Sequence, residues 1–125
     1  MVTDVGALVG VDAPATVKSG EGFNVVLTWK ASVTPPTAYT VFVHLLDSDG
    51  QVVAQSDSQP VDAYRPTTTW LPNEYITDPH TLTFNRPYSG TATLEIGLYD
   101  PVTNKRVTLR NGSDHVVLPD TVQVQ

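Results

Sequence analysis

Hydrophobic and polar residues alternate along several short segments of this chain. In "GFNVVLTWKA", residues 22–31, and in "GTATLEIGLYD", residues 90–100, apolar side chains recur at every second position. A period of two with many β-branched residues is typical of strands that bury one face. The predicted inward sets are Phe23, Val25, Leu27 and Trp29 in the first segment and Ala92, Leu94, Ile96 and Leu98 in the second.

The same pattern predicts many short strands and little helix. Ten prolines and eight glycines interrupt the chain, and no window has a sustained apolar repeat of three to four residues. Closely spaced strands with turn residues between them indicate an all-β sandwich or barrel, here as a single domain over residues 1–125. The predicted strands lie near residues 5–12, 22–32, 38–47, 51–57, 75–84, 91–100, 104–110, 114–118 and 121–124.

The stretch "VHLLDSDGQVV", residues 43–53, resembles an acidic metal loop at first sight. An EF-hand loop that starts at Asp47 would need glycine at its sixth position, but glycine comes fourth, at Gly50, and the twelfth residue is Ser58 rather than glutamate. Asp49-Gly50 between alternating apolar runs instead predicts a tight hairpin turn with positive φ at both residues. A structural calcium ion held by Asp47, Asp49 and either Asp57 or Asp100 is the alternative.

Charge and composition narrow the classes of partner. The chain has 125 residues, with seven basic and thirteen acidic side chains and a net charge of −6, which disfavours nucleic acid and anionic lipid. No stretch is long and apolar enough to predict membrane insertion, and the first residues do not read as a signal peptide. Because a predicted strand starts almost at Met1, we expect a domain excised from a longer protein, with a stand-alone cytosolic protein as the alternative.

Three segments resemble a known class of modules: "VFVHLLDSDG", "TTTWLPNE" and "LEIGLYDPVTNKR". They are similar to immunoglobulin-like β-sandwich accessory modules of large bacterial membrane proteins, often glycosyltransferases or uncharacterised proteins. The resemblance covers roughly residues 15–110. It implies an antiparallel sandwich of about seven to nine strands and a non-enzymatic, extracytoplasmic role. The chain departs from antibody domains because it has no cysteines to flank the core tryptophan, Trp29.

The residues suited to catalysis form no recognisable motif. There is no Gly-x-Ser-x-Gly turn and no cysteine, and His44, His80 and His115 lie far apart. A pair of carboxylates could support glycoside hydrolysis, but the acidic residues are scattered over turns and outward strand faces. We therefore predict no catalytic, cofactor-binding or metal-ligating residue. The acids considered for a pair are Asp47, Asp57, Asp62, Glu74, Asp78, Glu95 and Asp100.

Residues 58–74, "SQPVDAYRPTTTWLPNE", form a connection longer than most in a compact domain. It carries Tyr64, Arg65 and Trp70, which are residue types that anchor protein interfaces or stack on sugar rings. The alternative is that Trp70 and Leu71 fold back to cap one end of the barrel or sandwich. Tyr75, at the start of the next strand, belongs to the same group of exposed aromatic candidates.

A second candidate surface is the outer face of the strand over residues 38–47. If Val41, Val43 and Leu45 point inward, then Phe42, His44 and Leu46 point outward. Glu95 and Tyr99 are expected on the same sheet, so an imidazole and a carboxylate lie beside an aromatic stripe. This face could bind a glycan or a neighbouring domain, or the 58–74 connection could lie across it and bury it.

The sequence thus predicts a non-catalytic accessory module that contacts another domain or another protein, with no cofactor. The first alternative is a carbohydrate-binding module with Tyr64, Trp70, Tyr75 and Tyr99 as stacking platforms, and the second is a small glycoside-active enzyme. An extracytoplasmic location is expected, with the cytoplasm as the alternative. The complete set of candidate surface residues is Phe42, His44, Tyr64, Arg65, Trp70, Tyr75, Glu95 and Tyr99.

Overall fold

The computed structural model describes residues 1–125 and is all-β, as predicted. It contains eight strands and one short 3-10 helix, Thr67–Thr69, and no α-helix. No helix is long and apolar enough to cross a membrane. The strands are β1 (Gly6–Asp12), β2 (Thr16–Val17), β3 (Phe23–Ala31), β4 (Thr40–Leu46), β5 (Val52–Ser58), β6 (Tyr75–Phe84), β7 (Gly90–Tyr99) and β8 (Val116–Val124).

The eight strands form one mixed, strongly curled sheet in the order β1-β3-β6-β5-β4-β7-β8-β2. Neighbouring strands are antiparallel except β2 and β8, which are parallel, so an entirely antiparallel sheet was a wrong expectation. The contact between β5 and β6 is narrow, since only Ala54–Phe84 and Gln55–Thr83 are paired there. Beyond Gln55 the two strands separate, and this separation determines where several polar side chains of the core lie.

Three predicted elements near the C-terminal half differ from the structure. The strand predicted over residues 104–110 is absent, and only an isolated bridge joins Arg106 to Tyr99. Asn104 has a left-handed φ of 60°, which turns the chain out of the sheet after β7. The two segments predicted over 114–118 and 121–124 are one strand, β8, with a register shift opposite the stretch from Thr93 to Glu95.

The core is one cluster built from inward side chains of the strands, and the predicted inward sets are confirmed except at Phe23, which is only partly buried. Trp29 and Trp70 are both fully buried, with ring centroids 6.1 Å apart. Pro79 is tolerated in β6 because β5 pairs with that strand only at its far end. The buried apolar residues of β3, β4 and β7 are Val25, Leu27, Trp29, Ala31, Val41, Val43, Leu45, Ala92, Leu94, Ile96 and Leu98.

The hairpin between β4 and β5 confirms a turn at Asp47–Gly50, but with a different backbone. The Gly50 N–H donates to the Asp47 carbonyl at 3.0 Å, and of the two predicted positions only Gly50 has positive φ, at 79°. One Asp47 carboxylate oxygen accepts the N–H groups of Asp49 and Gln51, both at 2.9 Å, and the other pairs with Arg86. These interactions lower the pKa of Asp47, with the Gln51 N–H the largest cause. A calcium ion here would have to displace them.

Candidate functional site

The outward faces of β5, β4 and β7 bring together a set of polar side chains around His44. In the sheet register Phe42 lies opposite Asp57 on β5 and Gly97 on β7, while His44 lies opposite Glu95. Alternation along each strand then puts these side chains on the face away from the core. We call this group the His44 site. It comprises Phe42, His44, Asp57, Glu95, Tyr99 and Arg106.

The imidazole of His44 lies between two carboxylates. Its Nε2 is 3.1 Å from Oδ1 of Asp57, and its Nδ1 is 3.3 Å from Oε1 of Glu95. The side chains of His44 and Glu95 are each 13% exposed, and that of Asp57 is 26% exposed. Both carboxylates are therefore oriented toward the same ring, and that ring fills the space between them.

Phe42 is almost completely covered although it faces away from the core. Its ring lies against the backbone of Gly97, where an added Cβ would come within 2.3 Å of the ring. The guanidinium carbon of Arg106 lies 4.3 Å from the centroid of the Phe42 ring and makes a cation–π contact with it. Phe42 is 1% exposed as a result. The expected aromatic stripe of Phe42 and Tyr99 therefore does not present the face of Phe42 to a ligand.

The segment that covers this face is the connection between β7 and β8, not the 58–74 connection, so that prediction was wrong. Arg106 lies 3.7 Å from Glu95 and 3.5 Å from Asp114. His115 lies 2.8 Å from Asp114 and 3.8 Å from Glu95. Arg106 and His115 therefore both contact Glu95 of β7, and these contacts lay residues 106–115 over the outer face of the sheet. A strand prediction over 104–110 could not reveal this crossing.

The surroundings shift the pKa values of three groups. Burial raises the pKa of Asp57, but His44, Tyr99 and Arg106 together outweigh it, so the net pKa is lowered. Burial and the negative charge of Asp57 raise the pKa of the Tyr99 hydroxyl. The hydrogen bond from His115 is the main cause of the lowered pKa of Asp114. Asp57 is therefore an ionised acceptor at neutral pH.

A hollow of about 210 Å³ opens beside the site. Four polar side chains and Asn104 of the covering segment surround it, with the ring of Phe42 below. A larger cleft of about 510 Å³ lies elsewhere, between residues 11–15 and 118–122, where Asp120 is the charged residue and most of the lining is apolar. The residues that line the smaller hollow are Phe42, His44, Asp57, Tyr99, Asn104 and Arg106.

A second histidine cluster, which the sequence reasoning missed, lies inside the core. Nε2 of His80 is 2.7 Å from Oδ2 of Asp78, and Nδ1 of His80 is 3.1 Å from the hydroxyl of Ser56 and 3.2 Å from that of Ser58. Trp29 Nε1 donates to Asp78 Oδ2 at 3.1 Å. We call these five residues the His80 cluster. The alternation of Ile76, Asp78, His80 and Leu82, all buried, was the signal that could have found it.

The residue types of the His80 cluster are those of a serine hydrolase, but its histidine and aspartate are fully buried and its serines are half-buried. The side chains of Asp78 and His80 are both 0% exposed. The second oxygen of Asp78 accepts the N–H of Val61 at 2.7 Å. Every buried side-chain nitrogen and oxygen in the protein has a hydrogen-bond partner. The cluster is therefore a satisfied polar network that fills the gap where β5 leaves β6.

The 58–74 connection caps one end of the core through Trp70. This residue is fully buried, and its Nε1 donates to the Arg65 carbonyl at 3.1 Å. The capping alternative is confirmed for Trp70 and wrong for Leu71, which is 62% exposed. A stacking role for Trp70 is likewise contradicted by its burial.

The exposed residues around this cap form a second surface. Tyr64 is 81% exposed and Tyr75 is 64% exposed. Arg65, which follows Tyr64 in the chain, donates at 2.6 Å to Glu74, which precedes Tyr75. Backbone bonds from Ala31 to Glu74 and from Asn73 to Ala31 bring the end of β3 alongside, so that Val33 is close to the cap. We call this the loop-end surface, and it comprises Val33, Tyr64, Arg65, Leu71 and Tyr75.

The backbone of this connection contains an uncommon turn. Val61, Asp62 and Ala63 have φ values of 54°, 52° and 69°, all in the left-handed region. Such residues cost roughly 1–2 kcal/mol each, and a β-branched residue there is an outlier. The Val61 N–H bond to buried Asp78 fixes the start of the turn. The His80 cluster therefore also positions the segment that carries Tyr64.

The similarity of this chain to known proteins is found only among solved structures. No family model matches the chain. No curated protein matches it either. Among solved structures, the chain is similar to AvmM, described as catalysing macrocyclization in alchivemycin A biosynthesis, at 12% identity and a TM-score of 0.46, over 98% of this chain and 90% of that one.

Proposed function

We propose that this chain is a non-catalytic accessory module with an immunoglobulin-like β-sandwich fold, which contacts another domain or another protein through the loop-end surface. The observation that carries the proposal is the exposure of Tyr64, Leu71 and Tyr75 around a rigidly anchored Trp70. Exposed aromatic and aliphatic side chains beside an arginine are the residue types that dominate binding energy at interfaces.

The strand order supports the fold part of the proposal. At the narrow β5–β6 contact the curled sheet divides into β1-β3-β6 and β5-β4-β7-β8-β2. Immunoglobulin sandwiches of the constant type have strands A, B, E and D in one sheet and C, F and G in the other. Strands β1, β3 and β6 correspond in order to A, B and E, and β4, β7 and β8 to C, F and G, whereas β5 lies beside β4 and not in the position of D. Inward side chains of both parts contribute to one core.

The anchoring of the connection supports the interaction part. Trp70 is held in the core, Arg65 is paired with Glu74, and Thr67 donates to the carbonyl of Thr37 at 2.7 Å. A surface fixed in this way loses little conformational entropy when a partner binds. The net charge of −6 favours a protein partner over nucleic acid.

Two arrangements argue against the enzymatic alternative. Glycosidases need space for the substrate between their two carboxyl groups. In the His44 site the imidazole occupies that space, since both carboxylates bond to it. The histidine and aspartate of the His80 cluster are fully buried, and its two serines are half-buried. The resemblance to modules of bacterial membrane proteins supports an extracytoplasmic location, which we include in the proposal.

Site-specific photocrosslinking tests this function. A photoreactive phenylalanine analogue would replace Tyr64 or Tyr75 in the protein expressed in its native host, and Ser48, at the opposite end of β4 and β5, would serve as the control position. We expect one discrete crosslinked product from both tyrosine positions and none from Ser48. Equal crosslinking from all three positions, or none from either tyrosine, would contradict the proposal.

A further inference from the structure

The hollow beside the His44 site has the features of a small binding site. It measures about 210 Å³, below the roughly 300–1,000 Å³ of pockets that take drug-sized ligands. A ligand that fits would be a single small ring rather than an extended chain. The ring of Phe42 lies under Arg106 and is 1% exposed, so the groups that a ligand would contact in the hollow are polar.

The polar groups around the hollow include both donors and acceptors. Arg106 has five N–H donors, yet its closest carboxylate contacts are 3.5 and 3.7 Å, longer than good hydrogen bonds. The Asn104 side chain is exposed at the rim and offers a donor and an acceptor. Asp57 is an ionised acceptor whose Oδ1 already bonds to His44 at 3.1 Å and to the Gln55 amide at 3.3 Å, so its Oδ2 is the oxygen left for a ligand.

The balance of charge argues against an anionic ligand. Asp57 and Arg106 compensate each other at the hollow, and Glu95 and Asp114 add negative charge close by. A phosphate or carboxylate would therefore face three carboxylates and one guanidinium. A hydroxyl group has no such cost, because it donates to a carboxylate and accepts from a guanidinium or amide at the same time.

We propose that the hollow between Asp57, Asn104 and Arg106 binds one neutral polyhydroxylated ring of the monosaccharide class through hydrogen bonds in the plane of the ring. This site is separate from the loop-end surface, and it does not use an exposed aromatic platform. Arg106 is held in position by its stacking on Phe42, and Asp57 by its bond to His44. The recognition is thus by fixed polar groups.

Titration followed by amide NMR tests the proposal. The probes are methyl glycosides of glucose, galactose, mannose, xylose and N-acetylglucosamine, each added to the isotope-labelled protein. We expect at least one of them to give saturable shifts at the amides of Phe42, Asp57, Asn104 and Arg106, with a dissociation constant of about 1 mM. Inorganic phosphate is added in parallel as the anionic probe.

Two variants and one control decide between outcomes. Asn104→Gly keeps the left-handed backbone and removes the amide, and Asp57→Asn removes the charge with little change of shape. Each should weaken binding by about tenfold, since one charge-assisted or amide hydrogen bond is lost, while Asp49→Asn, at an exposed carboxylate in the β4–β5 turn, should leave the dissociation constant for the glycoside unchanged. The proposal is overturned if no glycoside gives saturable shifts, if the shifts map to Tyr64 and Tyr75, if Asn104→Gly binds as the wild type does, or if phosphate binds the same amides more tightly.

Discussion

The His44 site and the His80 cluster lie on opposite faces of the same strand, β5. Asp57 faces outward to His44, while Ser56 and Ser58 face inward to His80. The outer histidine has carboxylates at both ring nitrogens and remains partly exposed, whereas the inner one has a single carboxylate, two hydroxyls and no exposure. Water can therefore replace a lost partner of His44 but not one of His80, so similar residue types carry very different energetic weight.

The largest expected effect comes from Asp78→Ala. This change leaves His80, the indole N–H of Trp29 and the Val61 N–H without their acceptor in the core. Breaking such a buried network costs roughly 3–5 kcal/mol of unfolding free energy. The matched change on the outer face, Asp57→Ala, should cost about 0.5–1 kcal/mol, because its partners are partly hydrated. Urea unfolding of both variants measures the difference, and equal losses would mean that burial does not separate the two clusters.

A smaller effect is expected from Gly97→Ala, which changes the support of the outer site only. The new methyl group would overlap the Phe42 ring, so the ring and Arg106 must move, at a cost of about 1–3 kcal/mol. Gly10→Ala is the control, because its added Cβ would meet the nearest atom, on Thr28, at an ordinary 3.4 Å. Thermal unfolding and the NMR signals of Phe42 report the result. A Gly97→Ala protein as stable as the control would show that the close contact is not needed.

Acid should destabilise the outer site, whereas changes of pH around neutrality should leave the contribution of Asp57 unchanged. The pKa of Asp57 is lowered from its ordinary value of 3.8 in the folded protein, since His44, Tyr99 and Arg106 together outweigh burial. Its stabilising contribution is therefore complete above that ordinary value and is lost as the pH falls through the lower folded value. In Asp57→Asn, the unfolding free energy should fall less steeply below about pH 4. Identical slopes for variant and wild type would contradict this assignment.

The smallest expected effect is chemical modification of the three histidines, whose rates should follow the solvent exposure of their side chains. Their side chains are 35% exposed for His115, 13% for His44 and 0% for His80. We expect diethyl pyrocarbonate to modify them in that order under native conditions, with His80 modified only after unfolding. Peptide mass spectrometry over a time course gives the three rates. Early modification of His80 would mean that the inner cluster is open to solvent.

The alternation of apolar and polar residues was enough to predict most strands and the side chains that each strand turns toward the core. Alternation identified Val25, Leu27 and Trp29, and it separated Phe42 and His44 from Val41 and Val43. It also identified the outward position of Glu95 on β7. These predictions succeeded because each depends only on neighbouring residues and on the period of a strand.

Contacts between residues far apart in the sequence could not be predicted from alternation along single strands. Asp78 and His80 follow the inward alternation of β6, but their serine partners come from β5, and only the separation of these strands makes the contact possible. Arg106 reaches Phe42 because Asn104 turns the chain across the sheet. The burial of Trp70 and the exposure of Leu71 depend likewise on a connection whose path no short pattern records.

The two ladder pairs between β5 and β6 also have a dynamic consequence. A junction this short opens at a lower free-energy cost than the long ladders of β3 and β6, and such local opening precedes global unfolding in many proteins. The polar side chains of Ser56, Ser58 and His80 stand directly behind it. Water that enters during native-state breathing would meet these groups first, so amide hydrogens around Thr83 and Gln55 should exchange sooner than those in the middle of β3.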